Sequence, residues 1–341
     1  MKNKILVTVG PSSLDQDTIS LMDEESILMF RINLSHTAVE DVEKVITKLK
    51  RFTNTPICLD SEGAQIRNQK MEGGVAVFTK GDNVKIHYED VLGDANNISF
   101  YPYHIASQFI VGDVINIDFD SVKIELFEKH TTYALAKVIN GGQVGSNKAT
   151  NLDRQFDLDP ITQKDKAAIE IGKQMGINYF ALSFAGSAEN VAQMRELTGK
   201  SSFIISKVES RKGLYNLNGI INESNAILID RGDLSREVRL EKIPFLQRRI
   251  IAASRALDTP VFVATNLLES MMSSIEPTRA EINDVVSTLL MGANGLVLAA
   301  ETAIGKYPVK SVRMIRKLMN QLNRWTPNSS ISDILNSHPK K

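Results

Sequence analysis

Two short segments combine residue types and spacing that could do chemistry. Lys207-Val208-Glu209 ends the apolar run Phe203-Ile204-Ile205-Ser206, and Asp230-Arg231-Gly232-Asp233-Leu234 ends the apolar run that starts at Ala226. Residues two apart in an extended chain point to the same side, so Lys207 and Glu209 enter one space. Gly232 lets the backbone turn sharply, so that Asp233 can face the same region. For the pieces taken singly, the alternatives are a solvent-facing rim ion pair and, for Asp233, a helix N-cap. Taken together, Glu209 and Asp233 offer hard carboxylate oxygens in a chain with no cluster of His or Cys, which suits Mg²⁺ or Mn²⁺ better than Zn²⁺. The ligand implied is a phosphate or an enolate.

Other apolar runs also end in polar groups: Thr8, Arg31 with Asn33, Asp60, Ser183, Thr265 and Glu301. In Phe30–His36, Arg31, Asn33 and Ser35 recur at period two and make one face polar and ready for an anion, with His36 beside it. Asp60-Ser61-Glu62-Gly63, with Arg67 shortly after, reads either as part of a site or as a hinge whose charges serve solubility. Gly141–Lys148 is a Gly-rich turn followed by Lys148, equally suited to a simple hairpin. Leu267–Met272 has helical apolar spacing, so its methionines belong to a core. Cys58, the one cysteine, sits in an apolar run and reads as a buried thiol, which excludes a disulfide framework.

The elements that must position these residues follow from the hydrophobic rhythm. Strand-like runs alternate with helical patterns: Lys4–Val9, helix Leu14–Met22, Ser26–Ile32, helix Val39–Lys50 and Pro56–Asp60. After an interruption come helix Ile161–Met175, Tyr179–Ser183, helix Ala188–Leu197, Phe203–Lys207, Ala226–Asp230, helix Ile243–Ala256, Val261–Thr265, helix Arg279–Met291, Gly295–Ala299 and helix Pro308–Leu322. Three strands precede the interruption and five follow it, the pattern of a parallel sheet. Within the interruption, Gly81–Tyr88, Asp113–Phe119 and Val122–Phe127 show approximate period two without helix-length patterns, the mark of a small β domain.

Removing about 84 inserted residues and the polar tail leaves roughly 240, close to the ~250 typical of an eight-stranded α/β barrel. Gly10-Pro11-Ser12-Ser13 is not the Gly-rich first turn of a doubly wound dinucleotide fold. The expected architecture is therefore a (β/α)8 TIM barrel (residues 1–68 and 153–325) with a small β-barrel-like domain (69–152) inserted after strand 3, and a polar tail, 326–341. Active groups in such a barrel stand at the C-terminal ends of the strands.

The chain has 341 residues, 43% apolar and 23% charged, and its forty basic residues balance forty acidic ones. That composition buries a full core without staples and gives no global field towards nucleic acid or an anionic membrane. The apolar stretch after Met1 is too short for a signal peptide and no run is long enough for a membrane span, so a cytoplasmic protein is expected.

In chain order, these segments resemble the pyruvate kinase family from Lys4 to about Trp325. Arg31–His36 resembles RxNxSH, Leu59–Arg67 resembles LDTKGPEIR, Ile205–Glu209 resembles ISKIE and Arg231–Leu234 matches RGDL. Ala264–Met271 resembles ATQMLESM, Pro277–Glu281 matches PTRAE, and Glu301-Thr302-Ala303 matches GETA without its Gly. The resemblance implies phosphoryl transfer between phosphoenolpyruvate and ADP, giving pyruvate and ATP. Glu209 and Asp233 would hold Mg²⁺ (or Mn²⁺), Lys207 would neutralise charge on the moving phosphoryl group, Arg31 would bind the phosphate, and Thr265 would lie beside the enolate. Gly232 would border the substrate. Asn33, Ser35, Asp60 and Ser61 would form a K⁺ site; His36, Arg67 and Lys148 would line the nucleotide side; the inserted domain would serve as a water-excluding lid.

The chain departs from the family pattern in places. Gln65 stands where Glu or Lys is usual, Glu62 and Ala64 replace Lys and Pro, Asp118-Phe119-Asp120 replaces an acidic pair followed by Gly, and Asp153 replaces Pro. Ala299 replaces Ser, and Asp230 adds a carboxylate beside the metal site. The sequence ends where family members usually continue into a C-terminal regulatory domain, so a truncated form is expected. It would be a homodimer, if any oligomer, through the barrel domain, serving a biosynthetic pathway such as surface-polysaccharide formation. Two alternatives are a metal-dependent C–C lyase working through a pyruvate enolate and a non-catalytic ligand-binding relative.

Overall fold

The computed structural model describes residues 3–63, 65–118, 121–152, 154, 156 and 158–336; Ala64, Phe119, Asp120, Asp153 and the last five tail positions lie outside the described residues. The chain divides into two compact units, Met1–Gly63 with Pro160–Lys341, and Ala64–Asp159. Those divisions fall at 63/64 and 159/160, against the 68/69 and 152/153 expected.

In the first unit, β1 (Lys4–Thr8), α1 (Gln16–Asp23), β2 (Met29–Asn33), α2 (Val39–Phe52) and β3 (Ile57–Asp60) come before the insertion. The insertion comprises β4 (Ile66–Asn68), β5 (Val75–Phe78), β6 (Asn83–His87), β7 (Asn97–Tyr101), β8 (Val114–Ile117), β9 (Val122–Lys129), β10 (Tyr133–Asn140), β11 (Gly142–Gly145) and β12 (Ala149–Leu152). The first unit then resumes with α3 (Gln163–Gln174), β13 (Tyr179–Leu182), α4 (Ala188–Thr198), β14 (Phe203–Val208), α5 (Arg211–Tyr215), α6 (Leu217–Glu223) and β15 (Ala226–Asp230). It ends with α7 (Arg231–Glu237), α8 (Ile243–Ala256), β16 (Val261–Ala264), α9 (Arg279–Leu290), β17 (Gly295–Leu298), α10 (Ala300–Ala303), α11 (Pro308–Leu322) and α12 (Ile331–Asn336).

The strands β1, β2, β3, β13, β14, β15, β16 and β17 close into a parallel eight-stranded barrel. Three come from before the insertion and five from after it, as the rhythm requires. Period two sorts their side chains. Ile5, Val7, Phe30, Ile32, Ile204, Ile227, Ile229, Val261 and Val263 pack outwards against the helices. Leu6, Met29, Cys58, Ala181, Ile205, Leu228, Phe262, Ala264 and Val297 fill the lumen. Such a lumen is a packed core, not a pore.

Two residues further along six of these strands, the same parity carries Thr8, Arg31, Asp60, Ser183, Lys207 and Asp230, all buried. An apolar lumen layer is thus capped at the C-terminal end of the barrel by a polar one.

Seven strands of the second unit (β4, β6, β7, β8, β9, β10 and β12) close into their own barrel. Alternation such as β9, whose Val122, Ile124 and Leu126 face inwards, fills it. Gly141–Lys148 is not a phosphate loop: Gly142–Gly145 forms β11, antiparallel to β5.

Several expected boundaries shift for local reasons. The first helix starts at Gln16, not Leu14, because the Asp15 carboxylate caps it by accepting from Thr18 N. The second strand starts at Met29, since Ser26 turns with φ of 55°. The helices α5 and α6 fill an interval read as strand to strand; Gly213 and Gly219 dilute their apolar period. Leu267–Met272 contains only the 3-10 turn Glu269–Met272, although Met271 is buried. The tail carries the short helix α12. No helix among the described residues is long and apolar enough to cross a membrane.

Candidate active site

The lysine on β14 organises the polar layer. Lys207 Nζ lies 2.8 Å from Glu209 Oε1, 3.4 Å from Asp60 Oδ2 and 3.7 Å from Asp230 Oδ2, and donates to Ser183 Oγ at 3.0 Å. Arg31 Nη1 meets Asp60 Oδ2 at 3.0 Å. The reading of Lys207 and Glu209 as a rim pair is corrected: Lys207 is 5% exposed and Glu209 0%. β14 continues its alternation one residue past its end, so both side chains turn inwards.

Backbone and hydroxyl groups hold these charges in place. Phe184 N donates to Glu209 Oε2 at 2.7 Å, from a backbone with φ of 51°. Ser183 Oγ donates to Ser61 O at 2.7 Å and lies 3.3 Å from Asp60 Oδ1, while Ser183 N donates to Ser61 Oγ at 2.9 Å. Gly63 is required there: its φ is 75° and a Cβ would stand 2.7 Å from Ser183 Cβ.

Glu209, Asp230 and Asp233 bring carboxylate oxygens within 4.8 Å of one another. Asp233 is not a cap. Asp230 is the N-cap of α7, accepting from Gly232 N at 3.2 Å, and Asp233 sits one turn in, 3.3 Å from Arg236. Gly232 also has a different reason from the one expected. It lies within α7, and its missing Cβ leaves room for Thr265 Cγ2, which would otherwise stand 2.8 Å away. Gly232→Ala is expected to push Thr265 aside and lower kcat about tenfold with little change in urea midpoint, a steady-state and denaturation comparison.

Three cations, Arg31, Lys207 and Arg236, thus face four carboxylates: Asp60, Glu209, Asp230 and Asp233. With all four ionised the carboxylates outnumber these cations, which suits a bound metal cation. Glu209 Oε1 is buried and faces Lys207 Nζ. An all-oxygen donor set of three converging carboxylates fits Mg²⁺ or Mn²⁺. Burial, aided by Asp233 and Asp230 and opposed by Lys207, pushes the Glu209 carboxyl up to about 8. Burial alone would lower the Lys207 ammonium, but Asp60, Glu209 and Asp230 outweigh it and hold the group well above its usual range. Burial would raise Asp230, yet Lys207 and the Thr265 hydroxyl draw it below its ordinary value.

The sign for Glu209 follows by linkage. Between 4.5 and about 8 the folded, metal-free chain holds a proton that the unfolded chain has lost, so stability falls as pH rises across that window. The urea midpoint of chelator-treated protein is expected to decline accordingly, and Glu209→Gln to remove that part of the slope.

Of the residues expected for K⁺, Asn33 and Asp60 pair in register at the ends of β2 and β3, and Ser35 and Ser61 lie in the segments that follow. Asp60 Oδ2 is buried and receives no aligned hydrogen bond, while Asn33 Oδ1 accepts from Ser35 N at 3.0 Å. This oxygen-only set is compatible with a monovalent cation. His36 is exposed beside them. On the inserted unit, β4–β12 pairing sets Arg67 opposite Ala149, next to Lys148. There Arg67 donates to Asn147 O at 3.0 Å and Lys148 lies 3.4 Å from Asp118.

Thr265 follows β16 with φ of 76°, and its hydroxyl donates to Asp230 Oδ1 at 2.5 Å. Arg231 holds its carbonyl through Nε at 3.1 Å and Nη2 at 2.7 Å, and is itself anchored on Asp284 at 2.6 Å. Other motif residues are staples. Glu301 accepts from Leu268 N at 3.1 Å and Ala299 N at 2.9 Å; Glu281 completes a capping box with Thr278 and accepts from Ser270 N at 2.7 Å.

Asp165 is the important residue that sequence reading missed. Its carboxylate accepts from Glu62 N at 2.7 Å, Gly63 N at 3.1 Å and Thr162 N at 3.1 Å, tying the loop after β3 to the start of α3. The capping box Thr162-x-x-Asp165 was its only sequence signal.

A family model described as "Pyruvate kinase, barrel domain" matches residues 1–312. A pyruvate kinase of Thermococcus litoralis is 32% identical, covering 100% of this chain and 74% of the relative. One of Thermoplasma acidophilum is 33% identical over 93% of the chain and 58% of its own length. A third, of Thermotoga maritima, is 31% identical over 94% and 71%. This chain thus spans between 58% and 74% of these relatives. With the eight-stranded parallel barrel and its inserted β domain, these matches establish that the chain belongs to the pyruvate kinase family.

Proposed function

We propose that this chain transfers the phosphoryl group of phosphoenolpyruvate to a nucleoside diphosphate, ADP in the first instance. One observation carries the reading: a buried lysine, set among three carboxylates, at the C-terminal end of a barrel. Phosphoryl transfer asks mainly for positioning and for positive charge around oxygens that grow negative, and Lys207 with Arg31 supplies two such charges from fixed places. Both are pre-oriented by Asp60, so little reorganisation accompanies the charge movement.

In the reaction the bond from phosphorus to the enol oxygen breaks and a bond to the diphosphate oxygen forms. The enolate then gains a proton at its methylene carbon. Lys207 faces the transferring group, and Thr265 stands where the enolate is to be protonated. A divalent cation held by Glu209 and Asp233 would add Lewis-acid stabilisation of those oxygens. Asn33, Ser35, Asp60 and Ser61 would hold K⁺ as a further positive charge, and on this reading His36, and Arg67 and Lys148 of the inserted unit, would serve the nucleotide.

The test is a lactate-dehydrogenase-coupled assay with phosphoenolpyruvate, Mg²⁺, K⁺ and a panel of nucleoside diphosphates, beside Lys207→Ala. Turnover above the variant is expected. Its absence with every diphosphate would defeat the proposal. Turnover of a pyruvate-like substrate without nucleotide, unaffected by Arg67→Ala and Lys148→Ala, would favour the lyase reading.

A further inference from the structure

We infer that Asp230 is a positioning residue, and that Asp230-Arg231-Gly232 is a single cradle built to hold Thr265 in its reactive conformation; the inference rests on the phosphotransferase reading above. Three consecutive residues grip three different parts of one side chain and its backbone. Asp230 Oδ1 accepts a hydrogen bond from the Thr265 hydroxyl at 2.5 Å. Arg231 holds the carbonyl with two donors, at 3.1 and 2.7 Å. Gly232 leaves the space that the methyl occupies, where a Cβ would stand 2.8 Å from it.

Thr265 needs such a grip. A φ of 76° is a conformation that β-branched residues rarely adopt, and it persists only where the surroundings over-determine it. The reason lies in strand parity. Val261 and Val263 face the helices while Phe262 and Ala264 face the lumen, so a regular continuation would send Thr265 outwards. The positive φ breaks that alternation and lets the hydroxyl meet the lumen-facing Asp230. The other oxygen of Asp230 lies 3.7 Å from Lys207, whose ammonium is held more closely by Glu209, Asp60 and Ser183, so the positioning role of Asp230 falls on Thr265.

Asp230 also stands in the group of three carboxylates. Its Oδ1 already accepts from Thr265 Oγ1 and Gly232 N, which favours the cradle over service as a further metal ligand.

The experiment compares wild type, Asp230→Ala, Asp230→Asn, Thr265→Ala and the double variant Asp230→Ala/Thr265→Ala. Asp230→Ala is expected to lower kcat by about thirtyfold while KM for phosphoenolpyruvate shifts less than about twofold. Asp230→Asn, whose carboxamide oxygen still accepts from the hydroxyl and from Gly232 N, is expected to restore most of the rate. Asp230→Ala is expected to add nothing to Thr265→Ala, because the partner through which it acts is gone. Mn²⁺ affinity, read by electron paramagnetic resonance, is expected to fall by about the same factor in Asp230→Ala and Asp230→Asn, because both remove one negative charge beside Glu209 and Asp233. An undiminished effect in the Thr265→Ala background, or a Mn²⁺ affinity about tenfold lower in Asp230→Ala than in Asp230→Asn, would overturn the inference.

If Asp230→Ala does not fold, Asp230→Leu, which keeps volume without an acceptor, takes its place. Three-bond couplings of the Thr265 methyl in threonine-labelled protein give a reading independent of turnover. One rotamer is expected in wild type and averaging in Asp230→Ala; equal couplings in the two would also overturn the cradle. A wild type without phosphoryl transfer but with these coupling changes would instead defeat only the function proposed above.

Discussion

Lys207→Met is expected to lower kcat for phosphoryl transfer by about 10³-fold, because the removed ammonium is a preorganised positive charge in a site from which water is excluded. Lys207 donates to Ser183 and is the nearest cation to Glu209, so no neighbouring group takes over its place. The same change leaves Asp60, Glu209 and Asp230 with Arg31 as their one buried counter-charge. Breaking a buried ion pair in this way costs about 3–5 kcal/mol, so the metal-free variant is expected to unfold at lower urea and to recover part of the difference with Mg²⁺. Lys207→Arg separates the two effects. It keeps the charge but presents a planar fork in place of a compact ammonium, so it is expected to retain the fold and still lose most of the rate. Steady-state assays and urea curves, each with and without Mg²⁺, check this; a folded Lys207→Met with more than a tenth of wild-type kcat would contradict the assignment.

Asp165→Ala is expected to destabilise the barrel by about 3–4 kcal/mol, although Asp165 stands outside every motif that suggested the function. The carboxylate is the acceptor for the backbone N–H groups of Glu62, Gly63 and Thr162. Without it, N–H groups in a tightly enclosed loop lose their partner, and α3 loses half of its capping box. Thr162→Ala removes the cap and leaves the loop anchored, so it is expected to cost only about 1 kcal/mol. Equal losses in the two variants would show that the loop contact contributes nothing. Because that loop follows Asp60 and Ser61, Asp165→Ala is also expected to lower kcat, and the assay beside the urea curve reads both.

Much of this molecule is legible in its residues. Eight apolar runs of strand length, three before and five after a stretch with no helical period, require a parallel barrel with an insertion, and the strands formed are those eight. Period two then places Arg31, Asp60, Lys207 and Asp230 in the lumen, since each stands two residues beyond an apolar lumen residue of its own strand. The motif at Lys207 and Glu209 pointed to a shared space for the same reason. The helices α5 and α6 were harder to see because glycines interrupt their apolar stripe, and the depth of the Lys207–Glu209 pair could not be read from two residues.

What the linear chain determined by itself is whatever depends on local period: the strands, their inward faces, the helices and the residue types at the barrel mouth. Contacts between residues distant in sequence belonged to the tertiary structure alone. Asp165 reaches a loop about a hundred residues earlier, for which no local pattern exists. The clearest case is Thr265, which by alternation should face the helices. Only the closure of β15 against β16 brings Asp230, Arg231 and Gly232 around it, and only their combined hold on hydroxyl, carbonyl and methyl turns it inwards.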